Sequence, residues 1–219
     1  MLFEDRKDAG RRLAGMLSDL PGLANAVVLG LTRGGVPVAF EIARAHRLPL
    51  DILVVRKLGA PGQPELAVGA VASGGVTALN SDLIHIFQLS EESVRAAVAR
   101  ETSEIARRER AYRGGEPALS LEGRTAILVD DGLATGATMR AAARAVRPRA
   151  TQVVIAIPVA AASTCRDLDC EADRILCLAT PGDFQAVGQF YRDFSATSDD
   201  EVRALLKASR TQMYAHPAA

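Results

Sequence analysis

Short apolar runs recur along the chain, and most of them are followed by a turn and then by a helix-like segment. Runs of this length predict strands that are covered on both faces of a parallel sheet. Ser90-Glu91-Glu92 and Ser198-Asp199-Asp200-Glu201 are typical helix starts. This alternation predicts an α/β fold with a mostly parallel central sheet flanked by helices. We predict strands near 26–30, 50–55, 67–72, 126–129, 152–157 and 174–178, and helices near 4–19, 36–46, 90–112, 139–146 and from 198 onward.

The segment 125–139 has the pattern of a buried strand, two acids, a turn of small residues and a helix. Asp130 and Asp131 come directly after the strand, where open α/β sheets bind their ligands. The turn over 134–138 has no bulky side chain, so its backbone N–H groups can approach an anion at the start of the helix. We therefore predict a phosphate site with acids placed for a sugar. The alternative is an acidic N-cap on an ordinary turn.

Two other predicted strands end in cationic segments. Arg33 lies in the loop 31–35 with Gly34 and Gly35, where a guanidinium can fork onto phosphate oxygens. Arg56 and Lys57 follow the strand predicted over 50–55, and we expect them to face the same side as the two acids. The Gly- and Pro-rich stretch 58–65 predicts a mobile loop, and a hairpin arm is predicted over 67–72 and 76–79. The alternatives are plain turns with solvated basic side chains.

The segment 181–194 holds four of the nine aromatic residues of the chain. Such a concentration fits two interpretations: the rings either seal the core or stack on a ligand. The sequence alone leaves both open.

The run Asp130-Asp131-Gly132-Leu133-Ala134-Thr135-Gly136-Ala137-Thr138 resembles the phosphoribosyl-pyrophosphate (PRPP) motif of the type I phosphoribosyltransferases. The likeness covers about 20–195 through four motifs in family order, and it is greatest to a group of bacterial phosphoribosyltransferases. It implies the type I phosphoribosyltransferase fold, with a small hood and a flexible loop or hairpin. One domain over 1–219 is expected, with its core at about 20–178, a flexible loop over 56–80, and a hood made of about 180–195 and the N-terminal helix.

The resemblance also implies an activity. The family transfers the 5-phosphoribosyl group of PRPP to a nitrogen nucleophile, here a nucleobase, and releases pyrophosphate with Mg²⁺ as cofactor. The resemblance implies catalytic roles for Arg33, Lys57, Asp130 and Asp131. In it the two acids bind the ribose hydroxyls, and they hold the magnesium ion partly through those hydroxyls. The implied PRPP-binding residues are Thr32, Gly34, Gly35, Arg56, Gly132, Leu133, Ala134, Thr135, Gly136, Ala137 and Thr138; those implied for the base are Phe184, Val187, Phe190 and Tyr191.

One position departs from part of the family. Ala134 stands where hypoxanthine-guanine enzymes carry an aspartate that is their proposed base, whereas adenine and uracil enzymes also have alanine there. Glu65 is a candidate replacement acid or base. A non-catalytic PRPP-sensing regulator on the same fold is the alternative function.

The composition of the chain limits the classes of partner and the cellular compartment that we expect for the protein. The chain has 26 basic and 26 acidic residues, which argues against a protein that binds nucleic acid through bulk positive charge. It has no apolar run of about 18 residues, so no membrane span is expected. A charged N-terminus without a signal-peptide core predicts a cytoplasmic protein. Three cysteines are too few and wrongly spaced for a zinc site. The family resemblance implies a homodimer.

Overall fold

The computed structural model describes residues 3–60 and 63–215, except for the side chains of 63–67 and 213–215. The helices are α1 (Arg6–Leu17), α2 (Gly35–His46), α3 (Ser81–Ile86), α4 (Glu91–Arg113), α5 (Ala137–Val146), α6 (Ala162–Leu168) and α7 (Asp199–Ala215). The strands are β1 (Ala26–Leu31), β2 (Leu50–Leu53), β3 (Val55–Ala60), β4 (Gln63–Ala72), β5 (Val76–Leu79), β6 (Thr125–Val129), β7 (Gln152–Val159) and β8 (Arg174–Ala179). Short 3₁₀ turns lie at Leu23–Asn25 and Val187–Phe190.

Five strands form the central sheet in the order β2-β1-β6-β7-β8, and every pair is parallel. The apolar runs that predicted these strands are buried throughout β1 and β6, because helices cover both faces of the sheet. Successive side chains point to opposite faces. Ile127 and Val129 pack with α1, α2, α4 and α7 on one side, while Ala126 and Leu128 pack with α5 and α6 on the other. The predicted parallel architecture is therefore confirmed.

A second sheet is antiparallel, in the order β3-β4-β5. It corrects the single strand that we expected over 50–55, because the chain leaves the parallel sheet at Val54 and enters β3 at Val55. It also corrects the loop expected over 58–65, since β3 continues to Ala60 and β4 begins at Gln63. The glycine content indicated a loop, whereas Gly59 belongs to a bulge within β3, and the strand register shifts on both sides of it. The hairpin arm over 67–72 and 76–79 is confirmed.

The N-terminus and the aromatic segment are joined by backbone hydrogen bonds. Phe3 donates to the Phe190 carbonyl and accepts from the Arg192 N–H, both at 2.8 Å. The Asp193 N–H donates to the Glu4 carbonyl at 2.9 Å. These bonds place the start of α1 beside 190–193, at the end of the sheet where β6 and β7 finish.

A buried ion cluster anchors α4 to the sheet. The Arg113 guanidinium donates to the Asp51 carboxylate at 2.8 Å, to Glu109 at 3.0 Å and to the Ile52 carbonyl at 3.1 Å. The second Asp51 oxygen accepts from the Leu119 N–H at 2.9 Å. The Arg113 and Asp51 side chains are almost fully buried, with 7% and 3% of their surface exposed. Their charges are therefore compensated within the protein rather than by water.

We expect Arg113→Met to lower the free energy of unfolding by about 3–5 kcal/mol, because it leaves the Asp51 carboxylate buried without a counter-charge. Chemical denaturation measures this. Arg95→Met is the matched control on the same helix, since Arg95 and Glu91 form an exposed pair that should contribute less than about 1 kcal/mol. Equal losses for the two variants would contradict the assignment.

Candidate active site

The loops that follow β1 and β6 meet because these two strands are parallel neighbours. Gly34 and Gly35 lie directly against Asp130 and Asp131. A β-carbon on Gly34 would overlap the Asp131 carboxylate, and one on Gly35 would lie 2.8 Å from the Asp130 α-carbon. Only glycine permits this approach. The structure therefore brings the predicted acids and the predicted glycine loop together at the carboxyl end of the sheet.

The surroundings of the two acids raise the pKa of both carboxyl groups. Desolvation by the surrounding protein, followed by repulsion from Asp131, holds the pKa of Asp130 well above its ordinary range. Desolvation also raises the pKa of Asp131, against an opposing effect of Arg6. The Arg6 Nε lies 2.8 Å from the Asp131 carboxylate, and both side chains are largely buried. Arg6 therefore balances part of the charge of the pair.

The loop after the acids presents small residues to solvent. Ala134, Thr135 and Ala137 are exposed, whereas Gly132 and Gly136 are buried. Gly136 adopts a left-handed conformation with φ of 69° just before α5, which suits glycine. Three residues of this turn thus lie at the surface beside the start of a helix, where backbone N–H groups can bind an anion.

The structure separates the three predicted cations. Arg33 is half exposed and lies 3.5 Å from Asp199 at the start of α7, not beside the acids. Arg56 and Lys57 occupy β3, where neighbouring side chains point to opposite faces. Arg56 pairs with Glu101 of α4 at 2.7 Å. Lys57 lines a cavity of about 570 Å³ that is also lined by Thr135, Ala137 and Arg140. Our expectation that both cations face the side of the two acids is wrong for Arg56, because the pair belongs to a strand rather than to a turn.

The aromatic residues form a packed hood. Phe190 and Tyr191 are buried with Phe3, and Phe184 stacks on Phe190 with ring centroids 5.6 Å apart. The Tyr191 hydroxyl donates to the Asp131 carbonyl at 2.6 Å. Val187 lies against Gly132, where a β-carbon would come within 2.5 Å of its side chain. Phe184 and Val187 remain half-buried, so they are the more accessible of the four residues predicted to bind a base.

Sequence reasoning missed two residues of this site. Arg6 contacts Asp131 across 125 positions of the chain, and Thr164 donates to the Ala134 carbonyl across 30. Neither belongs to a motif, so no local signal could have found them. The candidate base Glu65 lies outside the described side chains. Among the described residues, no group of three or more His, Cys, Asp or Glu side chains is arranged to hold a metal.

Comparison with known proteins decides the family. A profile of the phosphoribosyl transferase domain matches residues 3–195. The chain belongs to the phosphoribosyltransferase family. A provisionally named phosphoribosyl transferase of Mycobacterium tuberculosis, from strains H37Rv and CDC 1551, is 50% identical over 206 residues. That alignment covers 94% of this chain and 46% of the relative, so the chain spans about half the length of the curated relatives that it matches.

A solved structure shares the fold of this chain. The crystal structure of TT1426 from Thermus thermophilus is 42% identical, with a TM-score of 0.81. The match covers 94% of this chain and 98% of that chain. The predicted phosphoribosyltransferase fold is confirmed. No helix within the described ranges is long and apolar enough to cross a membrane.

The raised pKa of Asp130 makes stability depend on pH. Ionising Asp130 costs more free energy in the folded protein than in the unfolded chain. The contribution of the protonated Asp130 carboxyl to the free energy of unfolding is therefore fully present below the unfolded pKa, and it is lost as the pH rises through the folded pKa. Asp130→Asn cannot ionise, and its amide oxygen can still accept from the Asp131 N–H. We expect it to be more stable than the wild type at about pH 7, and less so toward about pH 4.

Urea unfolding across this pH range measures the difference between the two proteins. Asp167→Asn, at an exposed position, is the control and should follow the wild type. A curve for Asp130→Asn that runs parallel to the wild type at every pH would refute the role of Asp130.

The Tyr191 hydroxyl gives a separate prediction. Tyr191→Phe keeps the ring but leaves the Asp131 carbonyl without its donor, so we expect a loss of about 1–3 kcal/mol in the free energy of unfolding. Tyr112→Phe is the control, because the Asp199 carboxylate that accepts its hydroxyl is 56% exposed and water can replace the bond. Thermal or chemical unfolding compares them. A larger loss at Tyr112 would overturn this reasoning.

Proposed function

We propose that the protein transfers the 5-phosphoribosyl group of PRPP to a nitrogen nucleophile, a nucleobase-like acceptor, and releases pyrophosphate. The observation that carries the proposal is the contact of two loops at one end of the sheet. The loop with Gly34 and Gly35 lies against Asp130 and Asp131, and the open turn over 134–138 follows at the start of α5. PRPP carries phosphates on both sides of its ribose, and this arrangement offers anion sites on both sides of two acids.

Each part of PRPP has a matching group. The turn over 134–138 would hold the 5′-phosphate through backbone N–H groups and the start of α5. Asp131, held through one oxygen by Arg6, keeps its other oxygen for a ribose hydroxyl. The loop over 32–35 would take the pyrophosphate. Arg33 would leave Asp199 to reach it, which costs little because an exposed pair at 3.5 Å contributes at most about 1 kcal/mol.

The acids suit a magnesium ion in their donor chemistry. Magnesium takes carboxylate oxygens from one or two residues and completes its shell with water and substrate oxygens. Desolvation and repulsion from Asp131 raise the pKa of Asp130, and a bound cation would oppose that shift. Asp130 and Asp131 would hold the ion together with the ribose hydroxyls. When bound, it would neutralise charge that develops on the departing pyrophosphate.

Positive charge develops on the ribose as pyrophosphate leaves, so the residues at the leaving group act electrostatically. Lys57 is exposed on β3 and lines the same cavity as Thr135, so its ammonium would approach the phosphates from the hairpin side. Phe184 and Val187 would contact the acceptor from the hood. Ala134 offers no side-chain base, so the acceptor would be one that needs none at this position.

Calorimetry with PRPP and Mg²⁺ tests the site, followed by a screen of nucleobases for pyrophosphate release in the same samples. We expect micromolar binding to the wild type, and a loss of at least about a hundredfold in Asp130→Asn/Asp131→Asn, because two charge-assisted contacts are removed. Release with one base would identify the acceptor.

Asp167→Asn/Asp169→Asn, two exposed acids at the end of α6, is the matched control and should bind PRPP as the wild type does. Binding without release from any base would favour a PRPP-sensing regulator. A wild type that does not bind PRPP would refute the proposed function.

A further inference from the structure

The main-chain carbonyl of Ala134 accepts a hydrogen bond from Thr164, a residue that belongs to none of the predicted motifs. The Thr164 hydroxyl, on the first turn of α6, donates to this carbonyl at 2.7 Å. Thr164 is 6% exposed, although it lies one residue from the exposed Ser163. A threonine could satisfy its hydroxyl within its own helix. This one bonds to the loop instead.

The path of the chain explains the contact. The Leu133 N–H donates to the Val159 carbonyl at 2.9 Å, and Leu133 forms a parallel bridge with Ala160. The loop therefore runs beside the end of β7 and delivers Ala134 to the first turn of α6. It also rests on the Thr164 methyl group, because a β-carbon on Gly136 would lie 2.9 Å from that carbon.

The hydrogen bond has a consequence for the next amide. The peptide bond between Ala134 and Thr135 is trans, so its carbonyl and N–H point in opposite directions. With the carbonyl held toward α6, the Thr135 N–H points away from α6, and Thr135 itself is exposed. A reversed peptide would instead present a carbonyl oxygen, with its partial negative charge, to an approaching anion.

We propose that Thr164 is a positioning residue of the phosphate-binding turn, which aims the Thr135 N–H at the 5′-phosphate of the ligand. This inference rests on the proposed function, in which the turn over 134–138 holds that phosphate. Thr164 does not touch the ligand. It acts by holding one peptide unit in the orientation that the anion needs before the ligand arrives, so that binding does not have to reorient it.

A purely structural role predicts a different result. If Thr164 only packs under Gly136, the isosteric Thr164→Val keeps the shape of the site and binds as the wild type does. If the hydroxyl positions the peptide, Thr164→Val weakens phosphate ligands by about three- to tenfold, the range of one lost hydrogen bond. Thr164→Ser keeps the donor and should stay within about twofold of the wild type.

The experiment measures dissociation constants for PRPP with Mg²⁺ and for ribose 5-phosphate by calorimetry, and the melting temperature of each variant. Thr102→Val is the matched control. Thr102 also donates from a helix to a main-chain carbonyl, that of Val98 at 2.8 Å, but lies in α4 and outside the site. It should lose no affinity. Thr164→Ala serves as a second variant without the hydroxyl, in case Thr164→Val does not fold.

The outcomes separate the two proposals. Weaker binding by Thr164→Val or Thr164→Ala, recovered in Thr164→Ser, supports the positioning role. Unchanged affinity in the folded variants overturns it and leaves the proposed function intact. A loss shared equally by Thr164→Ser also overturns it, because the methyl group would then be the cause. A wild type that binds neither ligand removes the proposed function and this inference together.

Discussion

The site depends on the parallel pairing of β1 with β6. In their register Gly30 lies beside Val129, so the chain leaves both strands at the same edge and the two loops come into contact. A side chain at position 34 or 35 would overlap the acid that it faces. The balancing charge on the Asp131 carboxylate comes from Arg6 in α1. The central sheet thus determines both where the acids lie and how their charge is compensated.

The buried Asp51 and the partly buried pair of Asp130 and Asp131 have different surroundings. Asp51 receives a guanidinium and two backbone N–H groups, which satisfies its charge within the fold. Within the part of the chain that the structure describes, Asp130 accepts one hydrogen bond, from the Asp131 N–H, and it faces a second acid. Burying a carboxylate with so little compensation opposes folding, and strongly perturbed acids of this kind cluster at functional sites. The contrast separates Asp130 and Asp131 from an acid that serves the fold alone, and it supports the proposal that this pair binds a ligand.

The sequence predicted the parts of the structure that local patterns encode. The apolar runs identified the strands of the central sheet, and the two acids and the glycines could be placed at strand ends without coordinates. The antiparallel sheet was harder, because Gly59 and Pro61 indicate a loop by composition while cross-strand pairing keeps most of 55–72 extended. Because the two cations lie on a strand rather than in a turn, Arg56 faces α4 and Lys57 faces the turn over 134–138.

The residues that contact the motif from other elements could also not be predicted, and the reason is different. A motif specifies which groups face the ligand, whereas the opposite side of each peptide is satisfied by whatever element the fold brings there. Arg6, Thr164 and Tyr191 come from α1, α6 and the hood, and each contact joins positions at least 30 residues apart. Such contacts depend on tertiary packing, and no periodicity along the chain reveals them.

The contacts of Tyr191 connect the two ends of the site. Its ring packs against Phe3 and Phe194, while its hydroxyl holds the carbonyl of Asp131. Burial and the charge of Asp131 raise the pKa of Tyr191, so the hydroxyl stays protonated and remains a donor. An acceptor that displaced the hood would therefore move the peptide that carries Asp131. Under the proposed function, a hood held in place by Phe3 would keep that acid oriented, and acceptor binding would then be linked to the ribose end through one side chain.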